Sequence, residues 1–274
     1  MNQETLDNSL AIVQEADNRA REAETPLFIN FSGGKDSSVL ILLAKQLKLD
    51  NVELIYMISR LELPGTIDFV KEQAVKFGLK LHTIDPVDDY MGDFPYWVRR
   101  FNYFPGRQYA YCSSRLKLRP ARRYLRKIYG RKHVYKMNGV RKSESTRRQK
   151  IYATKPVIYP DYEASGHFLV EPIRNWTGQD VVDYLAENNF EVQKLYEEVG
   201  VSGCAYCPFY QPEIYQRILA IYPNIYDEII EVEDEIKKPS VAGNIFLHQL
   251  KDDFMANREE IMAQLSNKPL TKRK

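Results

Sequence analysis

A short apolar run, Leu27-Phe28-Ile29-Asn30-Phe31, stops at Ser32-Gly33-Gly34-Lys35-Asp36-Ser37-Ser38, and residues 39–47 continue at once in an apolar helical pattern. Strand, glycine loop and helix in so few residues leave the chain little freedom, because the turn between them is too tight for most side chains. Backbone N–H groups at the start of a helix can surround a phosphate. Ser32, Ser37 and Ser38 add hydroxyl donors, and Lys35 adds a positive charge. A Gly-Gly turn at a strand end is often only structural. Followed by Lys-Asp-Ser between a buried strand and an apolar helix, it points to phosphate binding, although the Walker spacing is absent.

Strands and helices keep alternating downstream, with no internal repeat. Residues 52–58 read as a second buried strand, Pro64-Gly65 as a turn, residues 66–77 as a helix ended by Gly78, and residues 79–84 as a third strand. This alternation predicts an α/β fold, a parallel twisted sheet with helices on both faces. Weaker strands are expected at residues 133–137, 157–159 and 168–173. Thr177 is placed to cap a helix through Glu187, with Asp180 supporting its first turn. Residues 85–111 read as irregular, and the tail from residue 213 to about 264 as helical, broken at Pro223 and Pro239. The expected organisation is an N-terminal helix over 1–24, a nucleotide-binding domain over 25–210 and a helical extension over 211–274. The basic Lys268–Lys274 end is expected to fray.

Charge is segregated. Residues 99–150 carry 18 Lys or Arg against the single acid Glu144, so this stretch is +17 while the chain as a whole is only +2. Solvated faces usually mix signs, and segregation of this kind suits a polyanion. Arg119, Arg122, Arg123, Arg126, Lys127, Arg131 and Lys132 recur at helical spacing. Just before them, Phe94, Tyr96, Trp97, Phe101, Tyr103, Phe104, Tyr109 and Tyr111 alternate with Arg99, Arg100 and Arg107, a mixture suited to stacking unpaired bases or to core packing. No apolar run approaches membrane-spanning length, and the N-terminus has no signal-peptide pattern. The three cysteines do not make a secreted disulfide framework. A cytoplasmic protein without a membrane partner is expected, with its oligomeric state left open, a homo-oligomer included.

Ser-Gly-Gly-Lys-Asp-Ser resembles the pyrophosphate loop of the adenine-nucleotide α-hydrolase superfamily, the PP-loop ATP pyrophosphatases, whose fold is Rossmann-like. Further segments resemble one branch, the phosphoadenosine-phosphosulfate (PAPS) reductase family. They are Leu63-Pro64-Gly65-Thr66, Cys112-Ser113-Ser114-Arg115-Leu116-Lys117 and Gly139-Val140-Arg141-Lys142-Ser143-Glu144-Ser145-Thr146-Arg147. Glu171-Pro172-Ile173-Arg174-Asn175-Trp176-Thr177 and Gly203-Cys204-Ala205-Tyr206-Cys207-Pro208 complete the series, in order along the chain.

The resemblance implies ATP and Mg²⁺ held by Ser32, Gly33, Gly34, Lys35, Asp36, Ser37, Ser38, Arg115, Lys117, Gly139, Arg141, Glu144, Ser145 and Arg147. Lys35, Asp36 and Arg141 would be the catalytic groups. Arginines suit bidentate phosphate contacts, and a hard carboxylate such as Asp36 suits Mg²⁺. Cys112, Cys204 and Cys207 would hold a 4Fe-4S cluster with one open iron, or zinc with a further ligand; ordinary buried thiols are the alternative. Two family features are missing: the Glu-Cys-Gly-Leu/Ile-His tail of the reductases and their Asp-Thr-Gly after the second strand. The activity implied is therefore ATP cleavage to AMP and pyrophosphate that adenylates a nucleic-acid oxygen for sulfur insertion. The likeness is greatest to the activating components of Dnd- and Ssp-type DNA phosphorothioation, with a cysteine desulfurase as sulfur donor and DNA favoured over RNA. A PAPS or adenosine-phosphosulfate reductase, a tRNA thiolase and a non-catalytic nucleic-acid-binding subunit are the alternatives.

Overall fold

The computed structural model describes residues 2–88, 92–106, 108–162, 166–201 and 203–267. Arg107 and the Lys268–Lys274 end lie outside the described residues. Helix α1 (Gln3–Glu22) opens the chain, capped by Asn2, whose side chain accepts the Glu4 N–H, and it buries Val13, Ala16 and Ala20. β1 (Leu27–Asn30), α2 (Lys35–Gln46), β2 (Val52–Met57), α3 (Thr66–Lys76) and β3 (Lys80–Ile84) then alternate as the apolar pattern requires. After α4 (Phe94–Phe101) come α5 (Tyr111–Ser113), a π-helical turn over Ser114–Leu118, and the basic helix α6 (Arg119–Tyr129). β4 (Val134–Met137), α7 (Thr146–Tyr152), β5 (Ile158–Pro160), β6 (His167–Val170) and α8 (Gly178–Glu187) complete the sheet layer. The remainder is helical: α9 (Leu195–Glu198), α10 (Pro212–Ile221), α11 (Asp227–Ile236), α12 (Leu247–Ala256) and α13 (Arg258–Asn267).

The strands lie in the order β3-β2-β1-β4-β6-β5. All pairs are parallel except β5 with β6, where Tyr159 stands opposite Leu169. The chain moves outward from β1 through β2 to β3, then returns to add β4 on the opposite side of β1. The order therefore reverses between β1 and β4, and in such sheets the crevice outside the carboxyl ends of those two strands is where ligands bind. No helix among the described residues is long and apolar enough to cross a membrane.

Two cores flank this crevice. The first joins Leu27 and Ile29 of β1 to α2, α1 and α8, and fully buries Val39, Leu40, Ile41 and Leu43. The second gathers Phe94, Trp97 and Val98 of α4 with Tyr206 of the following loop and Tyr215, Ile218 and Phe254 from the C-terminal helices, and Cys112 and Cys207 pack at its border.

Two elements differ from the sequence reading for visible reasons. α2 starts at Lys35, four residues earlier than its apolar pattern, because Gly34 occupies the cap position and the polar residues after it form the first turn. The segment expected to be irregular contains α4, with Asp93 accepting the Tyr96 N–H at 2.9 Å and Pro95 in the first turn. Phe94, Trp97, Val98 and Phe101 fall at i, i+3, i+4 and i+7, a helical stripe obscured by the density of other aromatic rings. The tail breaks near both prolines, as expected, and again at Asn257.

Beneath the far half of the sheet, Asp161 accepts from Lys136 Nζ at 2.9 Å and pairs with Arg122 at 3.0 Å, fastening the basic helix to β4. Burial pushes the Asp161 carboxyl up, but Lys136 and Arg122 outweigh it and hold its pKa below the ordinary value. His167 is buried beside this group, and burial, then the Lys136 charge, lower its pKa to about 4. The folded chain thus keeps His167 neutral while an unfolded imidazole titrates near 6.5. Its contribution is intact above pH 6.5 and is withdrawn as the pH falls from 6.5 towards 4, by roughly 3 kcal/mol. Denaturation midpoints measured from pH 7 to pH 4 are expected to fall less steeply in a His167→Gln variant than in the parent. Equal slopes would refute this.

Candidate active site

The loop after β1 is shaped by one glycine in particular. Gly33 has φ +73°, in the left-handed region, and a Cβ there would stand 2.5 Å from Gln193 Nε2 and 3.2 Å from Val70 Cγ2. Gly34 caps α2 without any side-chain hydrogen bond, so the first N–H groups of the helix are not consumed by a capping side chain. The serines brace the turn. Ser37 Oγ donates to the Gly34 carbonyl at 2.9 Å and accepts from Ser32 N at 3.3 Å, Ser38 Oγ donates to the same carbonyl at 3.1 Å, and Ser32 Oγ accepts from Gly34 N at 3.4 Å. Lys35 is engaged by Tyr196: its N–H donates to the Tyr196 hydroxyl at 3.1 Å, and its ammonium lies 4.2 Å from the ring centroid.

The end of β4 comes to the same place. Asn138 Oδ1 accepts from Asn30 Nδ2 at 2.5 Å, tying the two strand ends together. Immediately after it, a Cβ on Gly139 would lie 2.7 Å from the Asp36 carbonyl carbon and 2.9 Å from Ser37 N. Only a glycine lets the two backbones approach this closely. Arg141 follows, its Nε donating to the Asp36 carboxylate and its Nη1 to Ser143 Oγ at 3.2 Å. Ser143 in turn donates to the Trp176 carbonyl at 3.0 Å. Glu144 accepts the Arg141 N–H at 3.4 Å and pairs with Arg148; burial pushes its carboxyl up, against the pull of Arg148. Ser145 caps α7 by accepting the Arg148 N–H at 3.2 Å. Arg147 is exposed and has no ion-pair partner among the described residues.

The structure therefore brings Gly33, Gly34, Lys35, Asp36, Gly139 and Arg141 into one crevice, with Ser32, Ser37 and Ser38 as its braces. Glu144 and Ser145 shape the backbone that presents Arg141. Arg115 and Lys117 make their contacts elsewhere. The Arg115 guanidinium lies 4.4 Å from the Trp97 ring centroid, and Lys117 Nζ donates to Cys204 Sγ at 3.4 Å.

Cys204 sits in a small polar group at the end of β2. Its thiol is 3.5 Å from Ser59 Oγ, Ser59 Oγ donates to Glu62 at 2.8 Å, and residue 62 forms an antiparallel bridge with residue 204. The Cys204 charge, acting against burial, raises the Lys117 pKa. Burial, then Cys204 and Cys207, push the Cys112 thiol up to about 11. The carbonyls of the thiol loop are held by tyrosines: Tyr210 donates to Cys204 O at 2.9 Å and Tyr215 to Cys207 O at 2.8 Å. The thiols are neighbours, yet among the described residues no group of three or more His, Cys, Asp or Glu side chains is arranged to hold a metal ion. The 4Fe-4S and zinc expectations thus find their donors close together but not closed into a ligand set, and no chemical step is assigned to such a centre.

Sequence reasoning missed Tyr196 and Gln193. Both polar atoms of the buried Gln193 carboxamide lack a partner among the described residues, and that side chain faces Gly33. A polar residue amid the apolar positions 190, 192 and 195 was the available signal.

Residues 26–218 match the phosphoadenosine phosphosulfate reductase domain family. An uncharacterized protein of Methanocaldococcus jannaschii is 31% identical over 83% of this chain and 54% of its own length. A second protein from that organism is 26% identical over 77% and 42%. The chain spans about half the length of the curated relatives it matches. Among solved structures, Candida glabrata FMN adenylyltransferase with FMN and the ATP analogue AMPCPP superposes with TM-score 0.53 at 14% identity, over 75% of this chain and 65% of that one. This likeness is one of fold.

The approach at Gly139 yields a direct test. Gly139→Ala is expected to displace the first turn of α2 and weaken binding of Mg²⁺–ATP or pyrophosphate by about tenfold or more, consistent with an overpacking cost of roughly 1–3 kcal/mol. Calorimetric titration checks it, and unchanged affinity would show that the loop tolerates the methyl group.

Proposed function

The chain belongs to the phosphoadenosine phosphosulfate reductase domain family, and on that premise we propose that it is a PP-loop enzyme that cleaves ATP to AMP and pyrophosphate while adenylating an oxygen of a nucleic acid. The observation that carries this reading is the meeting of the glycine loop with Arg141 across the β1–β4 crevice. It brings a guanidinium, held by Asp36, to the helix N-terminus that follows the glycine loop. The N–H groups of the α2 start and Lys35 would hold the β- and γ-phosphates. Arg141, fixed by Asp36 and Ser143, would face the charge that develops as the bond from the α-phosphorus to the bridging oxygen breaks. Mg²⁺ bound by substrate phosphates needs only one or two protein carboxylates, and Asp36 is the carboxylate in the crevice.

In this reaction the acceptor oxygen attacks the α-phosphorus, pyrophosphate departs with the bridging oxygen, and the acceptor is left adenylated. Sulfur at the sulfide level then displaces AMP, giving a phosphorothioate if the acceptor is a backbone phosphate. A cysteine desulfurase together with a thiol reductant would supply sulfur at that level. The exposed Arg119, Lys127 and Arg131 of the +17 stretch support a polyanionic acceptor, since none has an ion-pair partner among the described residues. DNA phosphorothioation is the setting we favour.

The second reading is a PAPS or adenosine-phosphosulfate reductase, favoured by the family match itself. Anaerobically purified protein incubated with Mg²⁺–ATP and DNA is expected to release AMP and pyrophosphate in equal amounts. Lys35→Ala and Arg141→Ala are each expected to lower the rate on the order of 10²–10³-fold, as for loss of one donor to a developing charge. Tight PAPS binding without ATP cleavage would favour the reductase. Iron and acid-labile sulfide assayed in the same protein test the cluster.

A further inference from the structure

We propose that Tyr96, Tyr103 and Tyr109, with Arg100, form a platform on which the bases of a single-stranded nucleic acid stack beside the thiol cluster. This rests on the reading that the acceptor is a nucleic acid, and it specifies the form of that acceptor.

The rings make one connected series. Tyr96 packs edge-on against Trp97 at 5.2 Å, Trp97 stacks on Phe101 at 5.5 Å, and Phe101 meets Tyr103 at 5.9 Å. Tyr103 and Tyr109 are 6.2 Å apart, and both contact Tyr111, the residue before Cys112. The inner members are buried, Trp97 at 8% and Tyr111 at 2% exposure, whereas Tyr96, Tyr103 and Tyr109 are 46%, 37% and 55% exposed. A core explains the inner rings and leaves the outer three facing water. The outer rings are held rather than loose. Tyr96 is supported by α4, and the Tyr111 hydroxyl donates to the Tyr103 carbonyl at 2.6 Å, fixing the loop that carries Tyr103. Rings immobilised before a ligand arrives lose little entropy on binding it.

The charge around the rings selects the ligand. Arg100 is exposed, one helical turn from Tyr96 on the same face of α4, and has no ion-pair partner among the described residues. Arg115 lies over Trp97 and Phe101, and the basic helix α6 follows directly after the π-helical turn. The buried Trp97 Nε1 also lacks an acceptor among the described residues. Arg99 on the same helix is spent on Glu235 of α11, which leaves Arg100 and Arg115 beside the rings, and aromatic faces with such cations match a chain of phosphates with exposed π-faces. A duplex hides its base faces, and an acidic peptide offers none. Stacking on aromatic side chains combined with a basic groove is how single strands are held without sequence readout.

The test is fluorescence anisotropy with labelled oligonucleotides of about 20 nucleotides: single-stranded DNA, single-stranded RNA and a DNA duplex, each at two salt concentrations. The full chain is expected to prefer a single strand. A Tyr103→Leu/Tyr109→Leu double variant is expected to weaken single-strand binding by about tenfold or more, while duplex binding changes less than about twofold. Tyr103→Phe/Tyr109→Phe is expected to retain affinity, because the ring and not the hydroxyl makes the contact. Arg100→Gln is expected to reduce the salt dependence by roughly one phosphate contact. Equal losses for single strand and duplex, affinity indifferent to both tyrosines, or a Phe variant as weak as the Leu variant would each overturn the platform. ATP cleavage is assayed on the same variants. Cleavage with ring-independent binding overturns the platform alone, and ring-dependent binding without cleavage overturns the ATP reading alone. Preference for DNA over RNA or the reverse identifies which strand the platform serves.

Discussion

Where β4 ends and α2 begins, two backbones lie closer than any side chain allows. A single methyl group on Gly139 would stand 2.7 Å from the Asp36 carbonyl carbon. That approach is possible because β1 and β4 are hydrogen-bonded neighbours in the sheet, in register from Leu27 opposite Tyr135 to Ile29 opposite Met137. From it follow the pairing of Arg141 with Asp36, the orientation of the first turn of α2, and the crevice that holds both. Were the strands one place further apart, the phosphate loop would be an ordinary helix start with no cation across from it.

The second constraint is the burial of the thiol loop in tyrosines. Tyr210, Tyr215 and Tyr226, in and around the first C-terminal helices, each donate a hydroxyl to a carbonyl of the Cys204–Cys207 loop. The helical tail therefore acts as a rigid backing for the thiols. The same arrangement explains why the second core is rich in aromatic residues: a tyrosine fills space with its ring and still satisfies a buried carbonyl at its tip.

Much of this was legible in the sequence because local pattern and tertiary demand agreed. The strand–glycine loop–helix unit, the Thr177 cap with Asp180, and the breaks at Pro223 and Pro239 are short-range features that the fold had no reason to override. The crevice residues from Gly33 to Asp36, with Gly139 and Arg141, were legible from motifs. The contacts that Arg115 and Lys117 make in this structure were not, because Trp97 and Cys204 are brought to them by tertiary structure, in the case of Cys204 from 87 residues away. Helix α4 was hidden by its own composition, its apolar stripe standing among rings that belong to the surface. Tyr196 belongs to no local pattern and Gln193 stands out only as a polar residue among apolar ones; the folded chain is what sets both against the loop.

The hold of Tyr196 on Lys35 has a consequence for the order of events. The Tyr196 hydroxyl occupies the Lys35 N–H, so an anion that took this donor would have to move the tyrosine aside. Seven residues separate Tyr196 from Cys204, and Val199 and Val201 among them are anchored in the second core. A shift of Tyr196 would therefore be felt first in the second core, at whose border Cys112 and Cys207 pack.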